Sequence, residues 1–398
     1  MLTSDYQHIY KGLTVYYQVR LEPLNPWWYD DSWAREDPHL TKFSESKYKW
    51  RPDWLDSLSL EPFSLNFVLG PRQVGKTTGL KLLIRELIEG GRDPTSLIYV
   101  NCDLIVDLRE LRSVLSTLPS EDRVIVLDEV TGLDYWWRVV KGFIDQGYFS
   151  RDVLIVSGSS SVRVKRYAES FTGRRGRGRD VEVLPLSFRD FVEVRGYSLK
   201  GLERAFEEYL KLGGYPRSVN EDPTFLHELP EQVDKEVVRV GRSARIARQV
   251  IYQVVEKGPS AMSYSSIARE IGVSHVTVRE YLELLEDLFV VGTAYWRLGR
   301  RVDFKKEKKV FFRDPLIPRA FYSIRGEVRR EALYEWIVQE HLYRRYGEVY
   351  YYRDGYEIDV ISGDLKIEVK AGKSHRRYPK GVIVLEAEDV PYFLYKLA

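Results

Sequence analysis

The nine residues Gly70-Pro71-Arg72-Gln73-Val74-Gly75-Lys76-Thr77-Thr78 constrain this chain more than any other stretch. They follow the apolar run Phe67-Val68-Leu69 and lead into Leu80-Lys81-Leu82-Leu83-Ile84, which places a G-x-x-x-x-G-K-T loop between a strand and a helix. In that setting glycines let the backbone curl so that successive N–H groups face phosphate oxygens. The lysine reaches the terminal phosphates and the threonine hydroxyl ligates magnesium. Residues Gly70 to Thr78 are therefore a candidate cradle for a nucleoside triphosphate, with Lys76 as its cation and Thr77 as a ligand of Mg2+.

Around this loop, short apolar runs alternate with helix-length connectors: Leu65–Leu69, Leu97–Asn101, Arg123–Leu127, Val153–Ser157 and Val181–Leu184. Strands so spaced imply a five-stranded parallel sheet covered on both faces, an α/β fold. Val124-Ile125-Val126-Leu127 ends in Asp128-Glu129 and delivers two carboxylates to the sheet's carboxyl edge, where open α/β folds bind ligands. Behind a phosphate loop, Asp128 is expected to hold Mg2+ through water and Glu129 to orient or deprotonate the attacking water; by itself such a pair could also open a loop or cap a helix. Val156-Ser157-Gly158-Ser159-Ser160 repeats the layout with hydroxyls, so Ser157 or Ser159 either contacts the terminal phosphate or the water, or forms a turn and helix cap. The loop Thr172-Gly173-Arg174-Arg175-Gly176-Arg177-Gly178-Arg179 has three readings. Arg174 or Arg175 could act as a finger on a neighbouring subunit's phosphate, the loop could touch nucleic acid, or it could be a solvated basic loop.

Size and composition bound the rest. A chain of 398 residues exceeds what one core usually serves, so several domains are expected. Lys+Arg 61 against Asp+Glu 59 exclude a uniformly basic nucleic-acid coat. One cysteine, Cys102, excludes an intramolecular disulfide framework, and no apolar run is long enough to span a bilayer, so a cytoplasmic protein without membrane residence is expected. Residues 1–60 hold five of the nine tryptophans among prolines and acids. Such an irregular arm either packs on the next domain or stacks single-stranded nucleic acid, which its acids would repel.

The loop G-P-R-Q-V-G-K-T-T, then V-I-V-L-D-E, V-S-G-S-S, the arginine loop, Leu184-Pro185-Leu186-Ser187-Phe188-Arg189-Asp190-Phe191 and Gly213-Gly214-Tyr215-Pro216 together resemble the AAA-type archaeal and bacterial ATPases that carry an uncharacterised C-terminal domain. The resemblance covers most of the chain beyond residue 60. It implies ATP as the nucleotide, a sheet order of 5-1-4-3-2 and a small helical lid. An arginine acting in trans would imply a homo-oligomer, perhaps a ring.

The remaining segments divide as a core at 61–195, a helical lid and connector at 196–258, a winged helix-turn-helix at 259–315 and an α/β tail at 316–398. Tyr264–Ile271, the Gly272 turn and Ser274–Leu285 have helix-turn-helix spacing, and Val290–Trp296 could pair with Lys309–Phe312 as a wing. His275, Thr277, Arg279, Arg297, Arg300, Arg301, Lys305, Lys306, Lys308 and Lys309 make a candidate DNA face; the same module could dock protein. In the tail, a predicted helix at Glu331–Tyr346 precedes Glu357-Ile358-Asp359-Val360-Ile361 and Lys366-Ile367-Glu368-Val369-Lys370. Alternation puts Glu368 and Lys370 on one face of their strand. This resembles the PD-(D/E)XK nuclease core, with Ile358 where that pattern has proline. The resemblance implies Asp359 and Glu368 as metal ligands, Lys370 as the lysine and Glu340 as a helix acid, in a restriction-endonuclease-like domain that either cuts or keeps only the fold. The expected function is an ATPase that remodels or binds DNA. Two rivals are a slow nucleotide-dependent regulatory switch and an ATP-gated, metal-dependent nuclease.

Overall fold

Four of the five apolar runs of the core become parallel strands buried on both faces; the fifth ends as an edge strand exposed at Asp180 and Glu182. β1 (Ser64–Leu69), β2 (Leu97–Asn101), β3 (Val124–Asp128), β4 (Val153–Gly158) and β5 (Asp180–Glu182) form one sheet in the order β2-β3-β4-β1-β5. Read from the other side this is 5-1-4-3-2, the order the resemblance implied. The computed structural model describes residues 20–119, 121–159, 171–372 and 378–397; Ser160 falls outside them.

Alternate side chains sort onto the two faces. Leu65, Phe67, Ile98, Ile125 and Leu154 meet the helices Leu108–Ser116 and Trp136–Asp145, whereas Val68, Tyr99, Val126 and Ile155 meet the helix Lys76–Glu89 and the lid. The tryptophan arm packs on this second face. Trp27 and Trp33 are buried, the Trp27 and Trp28 indoles each donate to the Leu97 carbonyl at 2.9 Å, and the Asn25 side chain bonds both the N–H and the carbonyl of Tyr99. Asn25 thereby covers the outer edge of β2, an edge that would otherwise offer free backbone groups. Trp54 lies on the phosphate-loop helix at Gly79, where an added Cβ would sit 2.4 Å from the indole.

The lid follows as helices Leu202–Leu212, Pro216–Val219, Phe225–Arg239 and Ala244–Lys257. Tyr264–Ile271 and His275–Asp287 come next, their N-termini capped by Ser263 and Ser274. β6 (Val291–Leu298) pairs antiparallel with β7 (Arg301–Asp303) and with β8 (Lys309–Phe312). β6 also pairs in parallel with β9 (Tyr350–Asp354), which continues through β10 (Tyr356–Ser362) and β11 (Leu365–Lys370) to β12 (Ile383–Glu386). The two C-terminal units, expected as separate domains meeting at 315/316, thus share one seven-stranded sheet. The tail helix Arg330–Tyr346 packs against this sheet, buried continuously from Ala332 to Leu342.

Candidate active site

The phosphate loop leaves β1 and enters the helix Lys76–Glu89 through Gly75, whose φ of +91° only glycine adopts without strain. Among the described residues no side chain caps that helix, so its first N–H groups are available to an anion. Lys76 is buried and donates to the carbonyls of Gly70 at 2.9 Å and Pro71 at 3.0 Å, with Glu129 Oε1 3.8 Å away. It is held inside the loop as a cation poised over the cradle.

Register places the acids. Asn101 lies opposite Asp128 at the carboxyl ends of β2 and β3. Asp128 accepts from three hydroxyls: Thr77 at 2.7 Å and Tyr99 at 2.7 Å on Oδ2, and Ser157 on Oδ1. Ser157 therefore acts here on Asp128, and it also accepts the Glu129 N–H at 3.2 Å. Glu129 has φ +54°, a left-handed conformation that costs a non-glycine residue about 1 kcal/mol or more. Its Oε2 is buried with no hydrogen-bond partner among the described residues, beside Lys76. A carboxylate oxygen so presented suits a water, and the Thr77–Asp128 pair of oxygens suits a hard cation such as Mg2+.

Beyond the loop a cavity of about 800 Å³ opens between the arm, the lid and the tail, with Phe43, Trp50, Gln73, Thr77, Arg217 and Arg344 among its lining residues. Several residues that shape the phosphate-loop site carry no local sequence signal. Tyr99 is one, hidden in an apolar strand. Glu236, from the lid helix Phe225–Arg239, is another: it is buried, pairs with Arg72 of the phosphate loop and accepts from Ser159 at 3.1 Å. Arg217 donates to Gln73 at 3.0 Å, and Arg344 of the tail helix donates to the Pro185 carbonyl at 2.7 Å. The Gly213-Gly214-Tyr215-Pro216 run, part of the family resemblance, directly precedes Arg217.

Arg174 and Arg175 lie elsewhere. Gly176 bridges Ser64 at the start of β1, a strand length of roughly 17 Å from the phosphate loop. There Arg174 pairs with Asp145 and Arg175 with Asp180, so neither meets the phosphate loop of its own chain. On the expected DNA face His275, Arg279, Arg300, Arg301, Lys305 and Lys306 are exposed, and Thr277 and Arg297 are partly so. Lys308 and Lys309 are buried instead. Lys308, just before β8, lies 4.6 Å from the centre of the Tyr264 ring, and Lys309 enters an acidic pocket from a strand that is buried on both faces.

In the tail, β10 and β11 bring Asp359 and Glu368 side by side, and Asp359 Oδ2 accepts the Val369 N–H at 2.9 Å. Glu340 does not join them: it pairs with Arg313 and Arg344 at 2.6 Å each. The helix acid that does reach Asp359's neighbourhood is Glu335, which sequence spacing could not distinguish from Glu340 on a helix buried all round.

A family model described as an AAA domain matches residues 63–192, and a second, described as a domain of unknown function, matches residues 203–326. The parallel sheet, the phosphate loop and the acidic strand end all lie within the segment that the AAA-domain model matches. An uncharacterized protein of Methanocaldococcus jannaschii is 22% identical over 262 residues, covering 59% of this chain and 57% of that protein. One from Haemophilus influenzae is 22% identical over 321 residues, covering 75% and 79%. The chain thus spans little more than half of the first relative. Among solved structures, the Thermotoga maritima RuvB Holliday junction branch migration motor aligns with TM-score 0.34 and 16% identity, covering 74% of this chain and 96% of that one. The Aeropyrum pernix ORC2 protein aligns with TM-score 0.39 and 13% identity, covering 66% and 88%. No helix among the described residues is long and apolar enough to cross a membrane.

Proposed function

We propose that this protein binds and hydrolyses ATP with Mg2+ and couples the reaction to a DNA-contacting module. The observation that carries the reading is the meeting of Lys76, Thr77, Asp128 and Glu129 at one sheet edge. Thr77 and Asp128 would hold the Mg2+, which when bound supplies positive charge beside the terminal phosphates. The loop amides and Lys76 would bind phosphate oxygens, Lys76 exchanging its two carbonyl partners for them. Glu129 would accept a proton from water as the water oxygen bonds to the γ-phosphorus and the bond to the bridging oxygen breaks, leaving ADP and phosphate.

Coupling has a route through the lid. Glu236 joins the phosphate loop, through Arg72, to the helix that precedes Ala244–Lys257 and the helix-turn-helix. The exposed basic residues His275 and Arg279, with Arg300, Arg301, Lys305 and Lys306, supply a DNA-facing surface, and Glu283 beside Arg279 limits it. In an assembly of copies, Arg174 or Arg175 would serve a neighbour's site.

The test is ATP turnover with and without linear and branched DNA, with oligomer mass recorded on the same samples. Lys76→Ala is expected to abolish nucleotide binding. Glu129→Gln is expected to retain ATP while losing about 100-fold or more in turnover. Full turnover by the glutamine variant removes the assigned base, and turnover indifferent to every DNA removes the DNA coupling in favour of a nucleotide switch.

A further inference from the structure

A nuclease fold implies a divalent metal at the acids of the tail, and the residues present do not fit one. The Lys309 ammonium lies 2.7 Å from Asp359 Oδ1, 2.9 Å from Glu335 Oε1 and 3.0 Å from Glu357 Oε1. An ammonium group has three N–H donors, and here three carboxylates are in reach of them. Its side chain is 2% exposed, and those of Glu335 and Asp359 are 6% and 7% exposed.

The backbone gives Lys309 no retreat. It sits in β8 with Ala294 of β6 opposite, followed by the buried Val310 and Phe311, so its side chain leaves a strand with no solvent-facing side. The carboxylates are fixed too. Gln339 Nε2 donates to Glu335 Oε1 at 3.1 Å and to the Asp359 carbonyl at 3.4 Å, and the Val369 N–H holds the second Asp359 oxygen. Glu368, the second ligand the resemblance implied, is turned to Lys370 and to the Tyr378 hydroxyl at 3.1 Å. Lys370 is thereby spent as an ion-pair partner and does not stand free to stabilise a hydrolytic water. Among the described residues, no group of three or more His, Cys, Asp or Glu side chains is arranged to hold a metal.

We infer that the acidic centre of the tail is a socket for the Lys309 ammonium, which takes the position of the divalent cation, and that this domain serves as a clasp and does not cleave nucleic acid. The clasp joins three elements: β8, the tail helix through Glu335, and β10 through Glu357 and Asp359. Three carboxylates within 3.0 Å of one buried ammonium satisfy all three of its N–H donors.

Mn2+ binding to the full chain, counted by electron paramagnetic resonance without nucleotide, tests this. Wild type and Asp359→Asn are expected to bind equal amounts. Lys309→Met, similar in length and uncharged, is expected to gain one bound Mn2+ per chain, a gain that Lys309→Met/Asp359→Asn loses. An Asp359-dependent Mn2+ site in the wild type overturns the inference. So does Asp359-dependent cutting of DNA, or a soluble Lys309→Met with no added Mn2+. If Lys309→Met does not fold, the wild-type and Asp359→Asn comparison alone decides.

Discussion

Asp128 is held by more neighbours than the magnesium-ligand role proposed for it would require. Thr77 and Ser157 come from the flanking phosphate loop and strand, but Tyr99 reaches it from β2 with a hydroxyl that burial and the Asp128 charge keep firmly protonated. The Tyr99 ring is itself covered by the Lys81 ammonium at 4.1 Å, which is tied at 3.3 Å to Asp37 of the arm. A chain of contacts therefore runs from the N-terminal arm to the carboxylate expected to hold Mg2+. Tyr99→Phe removes only the hydroxyl and keeps the ring under Lys81. A hydrogen bond to a charged group contributes about 1.5–3 kcal/mol, so Asp128 should lose its fixed orientation and the Mg2+ concentration for half-maximal ATP turnover should rise about tenfold. Turnover titrated with Mg2+ checks this. An unchanged Mg2+ dependence in a folded variant would show that Tyr99 has no part in positioning Asp128.

At the scale of elements, the loop between the lid helices is fastened from a distance. Asp314, just after β8, accepts the Gly214 N–H at 2.7 Å and the Leu316 N–H at 2.8 Å. It is fully buried, and burial outweighs those bonds and raises its pKa to about 7. An acid whose folded-state pKa lies above its unfolded value favours the fold most when it is protonated. Its contribution is complete below about pH 4 and is lost as pH rises through about 7, a change of roughly 3–4 kcal/mol. Asp314→Asn cannot ionise, so its melting temperature should gain on that of the wild type as pH rises from 4.5 to 8. A difference between the two proteins that does not vary with pH would exclude this assignment.

Elements of this kind mark where sequence reading succeeds and stops. Apolar runs located β1 to β5 to within about two residues, and Lys76, Asp128 and Glu129, singled out by motif chemistry, lie together at one sheet edge. Lys309 and Glu335 did not, because a lysine in a β8-like strand reads as a solvated cation and a helix buried all round shows no preferred face. The Glu236–Arg72 pair spans two segments with no local pattern to announce it.

At the scale of the molecule, the C-terminal half is one body joined edge to edge. β6 meets β9 through Tyr295 opposite Tyr350 and Trp296 opposite Tyr351, and the Trp296 indole donates to the Arg353 carbonyl at 3.3 Å. The tail helix packs Trp336 on Phe312 with ring centres 4.9 Å apart, and at its far end His341 accepts the Phe188 N–H of the ATPase core at 2.9 Å. Ending the chain at residue 315 would expose β6 along an unpaired edge and strip Phe311 and Phe312 of their cover. Each large apolar side chain so uncovered costs about 1.5–3 kcal/mol, comparable in sum to the whole stability of a typical domain. The shortened chain should therefore aggregate on expression. Limited proteolysis of the full chain should likewise yield no stable fragment ending near Pro315, since the helix-turn-helix and the tail unfold together. Mass spectrometry of the fragments checks the second outcome, and a soluble, monodisperse 1–315 fragment that keeps wild-type ATP turnover would show that the shared sheet is not what holds the two units as one.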